Sequence, residues 1–208
     1  MQRKGKQHIM KQIWKPGNML YPVPAVLVTT RDINRKDNVF TVAWAGTVNT
    51  NPPMLSISVR KSRLSYQAIK DTGVFVVNLT TKELAHAADF CGVRSGRDID
   101  KFAAEKLEKE EAAEIDCPMI AASPVNIECR VKEEKTLGSH TLFLAEVLSV
   151  HADEKYMDKK GKFDLTLADP IVYTHGTYTT LGTHLGHFGW SVKKQKNKKK
   201  TTRQGKGR

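Results

Sequence analysis

Residues 39–65 constrain the fold more than any other part of this chain. The stretch contains two extended runs, VFTVAWAGTV and PMLSISV, separated by the turn-forming sequence NTNPP. Pro52 and Pro53 lack a backbone N–H and keep the residues before them out of helical conformation. In the second run apolar residues largely alternate with Ser56 and Ser58, a pattern typical of a strand with one buried face. We therefore expect two strands joined by a stiff turn.

The residues that follow the second run change to helical spacing. Leu64, Ala68 and Ile69 fall on one side of a helix that should begin at Ser62 and end at Gly73. A strand leading into such a helix offers free N–H groups, the positive end of the helix dipole and charged side chains, which together suit a phosphate monoester. The alternative is an ordinary helix N-cap with solvated charges. The basic and hydroxyl residues of this segment are Arg60, Lys61, Ser62, Arg63 and Ser65.

The formal net charge of +12 is concentrated at the two ends of the chain. Residues 1–18 carry five basic residues and residues 191–208 carry nine, and neither segment contains an acidic residue. Removing these fourteen from the 34 basic residues leaves 20 against 22 acidic residues, so the body carries about −2. We expect the ends to be solubilising extensions. Polyanion binding is the alternative, but the C-terminal segment lacks the interleaved aromatic residues that stack on bases, so nucleic acid is not an expected partner.

Cysteine usage and hydropathy indicate the compartment. Cys91, Cys117 and Cys129 lie far apart, form no CxxC pair and are odd in number, which argues against a disulfide framework. No stretch reaches the roughly 20 apolar residues of a membrane span, and the N-terminus lacks an apolar run of signal-peptide length. The expectation is a cytoplasmic protein that does not enter a membrane.

The remaining pattern predicts a mainly antiparallel closed sheet with helices at its edge. Further strands are predicted at 25–30, 74–79, 125–131 and 142–150, and a second helix at 82–91. Hairpins are expected across the polar turn at 31–38 and across the turn at 138–140. Residues 92–118 are predicted to form a loop, a short helical turn around Phe102, and an exposed acidic helix or loop. The glycine-containing segment 169–190 reads as an irregular arm.

Four segments, taken together and in order, carry more information than any one of them. They are TVAWAGTVNTNPPMLSISV, RKSRLSYQAIKDTGVFVVNL, DKFA at 100–103 and GSHTLFLAEV at 138–147. This combination resembles the flavin reductase-like FMN-binding family, which includes flavoredoxins and NAD(P)H:flavin oxidoreductases, over roughly residues 22–189. The resemblance implies an FMN-binding split barrel, an antiparallel Greek-key barrel with a few peripheral helices, that works as a homodimer. The implied domains are a basic extension at 1–18, the FMN-binding domain at 19–190 and a basic tail at 191–208.

The resemblance also implies which residues surround a non-covalently bound FMN. His140 matches a family position near the approach of the nicotinamide and is the candidate catalytic residue. Lys101 and Phe102 match a loop that closes over the cofactor. Trp44 shields one face of the flavin ring or, alternatively, is a core aromatic of the barrel. The implied neighbours of the ring and ribityl chain are Val42, Ala43, Trp44, Ala45, Thr47 and Asn49, and the implied phosphate contacts are Arg60, Ser62, Arg63 and Ser65.

Two departures from common nucleotide-binding patterns matter. Several flavin reductases carry a hydroxyl run such as TSVS before the double proline, whereas this chain has Gly46, Thr47, Val48 and Asn49 and so loses two hydroxyls. The GxGxxG fingerprint of dinucleotide-binding folds is absent, so a nicotinamide nucleotide would bind in another way. No metal site is predicted: the pair His184 and His187 has helical spacing but no Cys, Asp or Glu close in sequence.

The expected function is that of an FMN-dependent oxidoreductase that accepts hydride from NADH or NADPH and reduces flavin or another acceptor. Because the flavin performs the chemistry, the chain needs no acid–base pair or nucleophile of its own. The alternative is a flavoredoxin-type electron carrier that exchanges electrons with a redox protein partner. The basic ends of the chain would bind an acidic surface of such a partner. A nucleic-acid-associated module driven by the basic ends is the third possibility.

Overall fold

Twelve strands and three α-helices make up residues 11–193, the range that this computed structural model describes. In chain order the strands are β1 (Val23–Pro24), β2 (Val26–Arg31), β3 (Asp37–Val42), β4 (Ala45–Asn49), β5 (Met54–Val59), β6 (Val74–Asn78), β7 (Lys109–Glu111), β8 (Pro118–Ile120), β9 (Val125–Leu137), β10 (His140–Ala152), β11 (Ile171–Thr174) and β12 (Thr177–Thr180). The α-helices are α1 (Leu64–Thr72), α2 (Ala85–Val93) and α3 (Lys101–Ala104). Short 3₁₀ turns occupy Glu154–Tyr156, Leu165–Ala168 and Trp190–Val192.

Seven of the strands form one antiparallel sheet in the order β3-β2-β6-β9-β10-β5-β4. The sheet closes on itself because the chain leaving β3 bends at Ala43 and Trp44 and then runs antiparallel to β5 as β4. Next to the Ala45–Ile57 pair the amide of Ser58 donates a hydrogen bond to the carbonyl of Trp44 at 2.9 Å. The mainly antiparallel closed sheet predicted from the sequence is therefore confirmed, as are the hairpins β2–β3 and β9–β10.

The barrel is filled from inside and covered on one side. Phe75 and Phe143 are fully buried in the interior cluster, and β5 shows the expected alternation of buried and half-buried residues. Leu27 and Val39 point to the opposite face, where α2, α3 and β8 cover the wall formed by β2 and β3. Because both faces of that wall are buried, the run in β2 shows no alternation and all six of its residues are buried.

The run at 39–48, predicted as one strand, is two strands separated by a bend. β3 pairs with β2, and β4 pairs with β5 at the other end of the sheet order. The continuous apolar pattern could not show this, because the bend at Ala43 and Trp44 is required only by the closure of the barrel. The predicted pairing of the second half of this run with the strand after the double proline is confirmed as the β4–β5 hairpin.

Helix α1 ends where predicted and begins later than predicted. Its N-cap is Arg63, not Ser62, and no side chain caps the first turn. At the other end Gly73 adopts φ +70°, and its amide bonds to the carbonyl of Ile69 at 2.9 Å. A left-handed residue of this kind is tolerated best by glycine, which explains why the sequence signal for the end was the stronger one.

Two other segments differ from the predictions. The short helical turn around Phe102 is confirmed as α3, but the acidic segment after it pairs β7 with β8 instead of forming a helix or loop. The arm predicted as irregular begins with a hairpin, β11–β12, which joins β1 in a three-stranded sheet. His175 and Gly176 form its two-residue turn with φ +46° and +88°, the positive angles that right-twisted hairpins require.

The predicted basic extension and tail fall largely on residues 1–10 and 194–208, outside the described residues, so the domain boundaries stay predictions. Within residues 11–193 no helix combines the length and apolar character needed to cross a membrane. Cys91, Cys117 and Cys129 are buried and unpaired. Burial raises the pKa of the Cys91 thiol to about 11, so this thiol stays protonated near neutral pH.

Candidate functional site

A cleft of about 480 Å³ opens where the bend after β3, the end of β5, helix α2 and the β9–β10 turn converge. Ala43 and Trp44 of the bend form one wall, and Gly92 of α2 forms another. The C-terminal hairpin β11–β12 reaches over the mouth of the cleft through Tyr173 and Tyr178. Segments far apart in sequence thus build one concave site, as expected for a small-molecule pocket.

Helix α2 is fixed against β3 by close contact. The hydroxyl of Thr41 donates a hydrogen bond to the carbonyl of Ala88. A Cβ placed on Gly92 would lie 3.3 Å from the Cβ of Thr41, so a side chain at position 92 would require a shift of a few tenths of an ångström in one of the two segments. This packing holds the α2 wall of the cleft at a defined distance from the sheet.

Trp44 separates the cleft from a second, more apolar groove of about 750 Å³. The groove is lined on its other side by Met19, Leu20 and Leu137. Trp44 is half-buried and lies outside the three buried clusters, with its ring tilted against that of Tyr21 at 6.1 Å. The interpretation of Trp44 as a core aromatic of the barrel is therefore wrong, and its ring forms a wall of the candidate site.

The cleft continues into a smaller cationic pocket of about 230 Å³, with which it shares Arg60 and Arg63. The positively charged residues of this cationic pocket are Arg60, Arg63, Arg94, Arg97 and Lys101. No carboxylate lines it, and none of the five side chains forms an ion pair with a carboxylate of residues 11–193. Positive charge without internal compensation is the electrostatic condition for an anion site.

Lys101 and Phe102 lie in helix α3, not in a loop over the cleft. The ammonium of Lys101 donates to the carbonyls of Cys91 and Arg94 at 3.2 and 3.5 Å, which holds the end of α2. Burial and, secondarily, the charge of Arg63 lower the pKa of Lys101 to about 8. Phe102 is 6% exposed and packs in the cluster beneath α2, so the sequence prediction that it closes over a cofactor is wrong.

The hydroxyl residues of the predicted phosphate contacts face different ways. Ser62 lines the cationic pocket. Ser65 is fully buried, and its hydroxyl is 2.9 Å from that of Thr30 and accepts the amide of Asn38 at 2.8 Å. Because its hydrogen-bonding capacity is used inside the protein, the geometry contradicts Ser65 as a phosphate contact. Its role is to tie α1 to the first hairpin.

The predicted ring neighbours divide between the cleft and its surroundings. Val42, Ala43 and Trp44 line the cleft, whereas Ala45 lines only the apolar groove. Thr47 and Asn49 are exposed on β4 and line neither space. The amide of Asn49 donates to the carbonyl of Pro52 at 2.8 Å, which stabilises the β4–β5 turn. In one copy of the chain these last two residues do not reach the cleft.

His140 lies at the first position of β10 and borders both the cleft and the apolar groove. Its Nδ1 is 2.9 Å from the hydroxyl of Ser139, and it makes no other side-chain hydrogen bond within the described range. Partial burial and, secondarily, the charge of Arg60 lower the pKa of His140. Because the ordinary value is about 6.5, the imidazole is neutral at pH 7.

Two arginines, a carboxylate and a tyrosine are among the residues of the cleft and its extension that sequence reasoning missed. Arg94 and Arg97 follow α2, and Asp89 and Tyr178 face each other across the mouth of the cleft. The hairpin that carries Tyr178 had a readable signal, because a His-Gly pair stands between two Thr-Tyr-containing runs as Asn-Gly does in many hairpins. Arg94 and Arg97 had none, since an arginine in a loop is usually solvated.

His184 and His187, the histidine pair noted in the sequence, lie with ring centroids 4.7 Å apart. Across residues 11–193 no group of three or more His, Cys, Asp or Glu side chains is arranged to hold a metal ion.

Comparisons with known proteins identify the family and the fold class. The sequence model of the flavin reductase like domain matches residues 18–182, and the chain belongs to that family. The structure of a flavoredoxin from Desulfovibrio vulgaris (Miyazaki F) superimposes with a TM-score of 0.82 at 28% identity, covering 88% of this chain and all of that one. A flavoredoxin from Methanosarcina acetivorans gives 0.80 at 30% identity with the same coverage. The mainly β split-barrel class is thereby confirmed.

Among relatives by sequence, an NADH:FMN oxidoreductase of Rhodococcus erythropolis is 28% identical over 156 residues, which cover 74% of this chain and 73% of that protein. Together the family, the flavoredoxin structures and this relative identify the protein as a flavin-related oxidoreductase or electron carrier.

Proposed function

We propose that the protein is an FMN-binding oxidoreductase that accepts hydride from NADH or NADPH and reduces flavin or another acceptor. The observation that carries the proposal is the continuity of the cleft with the cationic pocket through Arg60 and Arg63. An elongated ligand with a flat ring at one end and a phosphate at the other matches a space that is bordered by a tryptophan at one end and by guanidinium groups at the other.

The residues present fit FMN. Arg60, Ser62 and Arg63 offer two guanidinium groups and a hydroxyl to the phosphate, and the N–H groups at the start of α1 are adjacent. Ala43 is small enough to let a flat ring approach the backbone beside Trp44. When bound, FMN would supply the hydride- and electron-accepting chemistry, so the chain's task is to place the ring, shield one side of it and leave room for a donor.

His140 is the candidate catalytic residue because it borders the space on both sides of Trp44. With its imidazole neutral and Nδ1 engaged by Ser139, the remaining ring nitrogen is available to orient the carboxamide of a nicotinamide. Arg60, which contributes to the low pKa of His140, keeps a second positive charge from forming beside it at neutral pH.

The absorbance spectrum of freshly purified protein tests the proposal, followed by anaerobic titration with NADH and with NADPH. We expect a flavin spectrum, or its appearance on adding FMN, and bleaching of the visible band by one or both nucleotides. Protein that neither binds FMN nor oxidises either nucleotide in the presence of added flavin would exclude this function.

The second candidate, a flavoredoxin-type electron carrier, is favoured by the match to two flavoredoxin structures at 28% and 30% identity, which covers all of each flavoredoxin and 88% of this chain. A carrier would receive and pass on electrons through a protein partner, not through a nucleotide. Stopped-flow mixing separates the two functions. Rapid bleaching of bound flavin by NADH or NADPH supports the reductase, and bleaching only by a reduced protein donor supports the carrier.

We also propose that the chain works as a homodimer, because two terminal segments expose large apolar side chains. Trp14 and Leu20 are 69% and 88% exposed in the N-terminal segment, and Leu185 and Phe188 are 87% and 108% exposed in the C-terminal segment. Leu20 also borders the apolar groove beside Trp44. A second copy that covers these surfaces would place its residues next to the cleft. Light scattering should give twice the mass of one chain, and a monomeric mass would exclude the dimer.

A further inference from the structure

The cationic pocket holds more positive charge than one phosphate neutralises. Four guanidinium groups and one ammonium line it, no carboxylate does, and the body of the chain as a whole carries about −2. A phosphate monoester brings only about 1.5 to 2 negative charges at pH 7. The surplus is therefore a local feature of the pocket and calls for a second anion.

The four arginines form two pairs that come from two different connections of the chain. Arg60 and Arg63 belong to the connection between β5 and α1 and also border the cleft. Arg94 and Arg97 belong to the connection between α2 and α3 and border only the cationic pocket. Lys101 adds little to either pair, because its ammonium is occupied by the carbonyls of the α2 end.

The wall that carries Arg94 and Arg97 is held in place by specific contacts. The guanidinium of Arg97 donates to the carbonyl of Ser62 at 2.9 Å, which links the two walls. Between the arginines, Gly96 lies so close to Asn38 that an added Cβ would be 2.1 Å from its Oδ1. Asn38 is buried, and its amide is anchored on Ser65 at 2.8 Å. A segment supported in this way loses little freedom when it binds an anion.

We propose that Arg94 and Arg97 form a second phosphate subsite that takes the 2′-phosphate of NADPH and makes the protein prefer NADPH to NADH. The proposal rests on the proposed function, which supplies a nicotinamide donor. A 2′-phosphate is a terminal monoester that two guanidinium groups can bind through parallel donors, and arginine serves this group in other dinucleotide-binding proteins. Arg94 and Arg97 border the cationic pocket but not the cleft, so a 2′-phosphate bound there would lie beside the FMN phosphate at Arg60 and Arg63 and outside the space that the flavin ring fills.

Calorimetric titration of the protein with NADP⁺ and with NAD⁺, with and without bound FMN, tests the subsite. The two nucleotides differ only in the 2′-phosphate. We expect wild type to bind NADP⁺ about ten- to a hundredfold more tightly than NAD⁺, as one charge-assisted contact implies. Arg94→Ala should lose most of this preference, with NAD⁺ affinity changed less than about twofold. Arg97→Gln should lose part of it, because the amide retains some hydrogen bonding.

Arg130→Ala is the matched control, since it removes an exposed arginine from β9, outside both the cleft and the cationic pocket. It should leave the affinity ratio of NADP⁺ to NAD⁺ unchanged. Equal weakening of both nucleotides by Arg94→Ala would overturn the proposal, because it would show binding of the shared pyrophosphate. Wild type without preference for NADP⁺ would overturn it as well.

Failure of the subsite is distinguishable from failure of the proposed function. A protein that binds FMN but shows no NADP⁺ preference retains the flavin function and excludes the subsite. A protein that binds no FMN excludes the flavin function, and the titrations of the FMN-free protein still decide whether Arg94 and Arg97 recognise the 2′-phosphate. Weakening of FMN by Arg94→Ala to the same extent as NADP⁺ would assign Arg94 to the first phosphate and exclude the second subsite.

Discussion

The hydroxyl of Tyr178 donates a hydrogen bond to the carboxylate of Asp89 at 3.3 Å, and this contact joins the C-terminal hairpin to helix α2 across the mouth of the cleft. Asp89 is the one carboxylate among the described residues that line the cleft. Burial, together with the neighbouring carboxylate, raises the pKa of Tyr178 to about 12, so the hydroxyl remains a donor at physiological pH. This hydrogen bond holds the hairpin on α2, while pairing with β1 and packing of Tyr173 on Tyr21 hold it on the other side.

Tyr178→Phe should speed the release of FMN by about fivefold, because the loss of one hydrogen bond of about 1 kcal/mol loosens the hairpin at the entrance. The measurement is the recovery of flavin fluorescence after dilution. Tyr173→Phe is the matched control, since its ring packs 5.5 Å from that of Tyr178 while its hydroxyl has no side-chain partner within residues 11–193. Equal release rates in Tyr178→Phe and wild type would show that the hairpin does not limit release.

Arg63→Ala should weaken FMN binding by about one to two decades, because it removes a charge-assisted contact to the phosphate of about 1.5 to 3 kcal/mol. Riboflavin, which has no phosphate, should bind the variant and wild type almost equally. Fluorescence titration with both flavins gives the comparison. If both flavins lost the same factor, Arg63 would support the ring or the fold and the phosphate assignment would be wrong.

Glu128→Gln should destabilise the protein by about 2 to 3 kcal/mol at pH 7. The fully buried carboxylate accepts the amides of Ala113 and Glu114 at 2.9 and 2.8 Å and the imidazole of His151 at 2.6 Å. An amide group in its place would set its own N–H donors against one of these donors. Urea unfolding measures the change, and Glu134→Gln, on an exposed pair with Lys70, should cost less than about 1 kcal/mol.

The same variant has a pH signature. Burial opposes ionisation of Glu128, but the amide donors and His151 outweigh it and hold its pKa below the ordinary value. A depressed folded-state pKa stabilises the protein above the unfolded value of about 4.3 and loses this contribution as pH falls below it. The difference between wild type and Glu128→Gln should therefore be largest above pH 5 and shrink toward pH 3.5. A difference that is constant with pH would exclude ionised Glu128 as the cause.

Gly96→Ala should destabilise the protein by about 1 to 3 kcal/mol, as overpacking of a close contact does. The added methyl would meet the anchored side chain of Asn38 at 2.1 Å and Leu64 at 3.1 Å. Gly182→Ala, with open space around the added Cβ and no positive φ, is the control and should be close to neutral. Thermal unfolding of both variants tests this, and equal effects would show that the Gly96 segment moves freely away from Asn38.

Local structure could be predicted from the sequence wherever one residue type determines the backbone conformation. Gly73 ends α1 as predicted, because a left-handed residue favours glycine whatever surrounds it. The β9–β10 and β2–β3 hairpins follow from alternation and turn residues in the same way. Arg60, Ser62 and Arg63, the predicted phosphate contacts of one segment, all line the cationic pocket, and their binding of a phosphate stays a prediction.

Most strands of the barrel, their mainly antiparallel pairing and the segment that carries Arg60 and Arg63 could be predicted from the sequence, because periodicity and turn chemistry act within a few residues. The contacts between side chains from distant segments could not be predicted in this way. Ser65 and Phe102 point inward because the helices that carry them pack on the barrel wall. The chain bends at Trp44 because the barrel must close. The burial of these side chains and the closure of the barrel depend on residues that are tens of positions away in sequence. A local sequence pattern carries no information about such contacts.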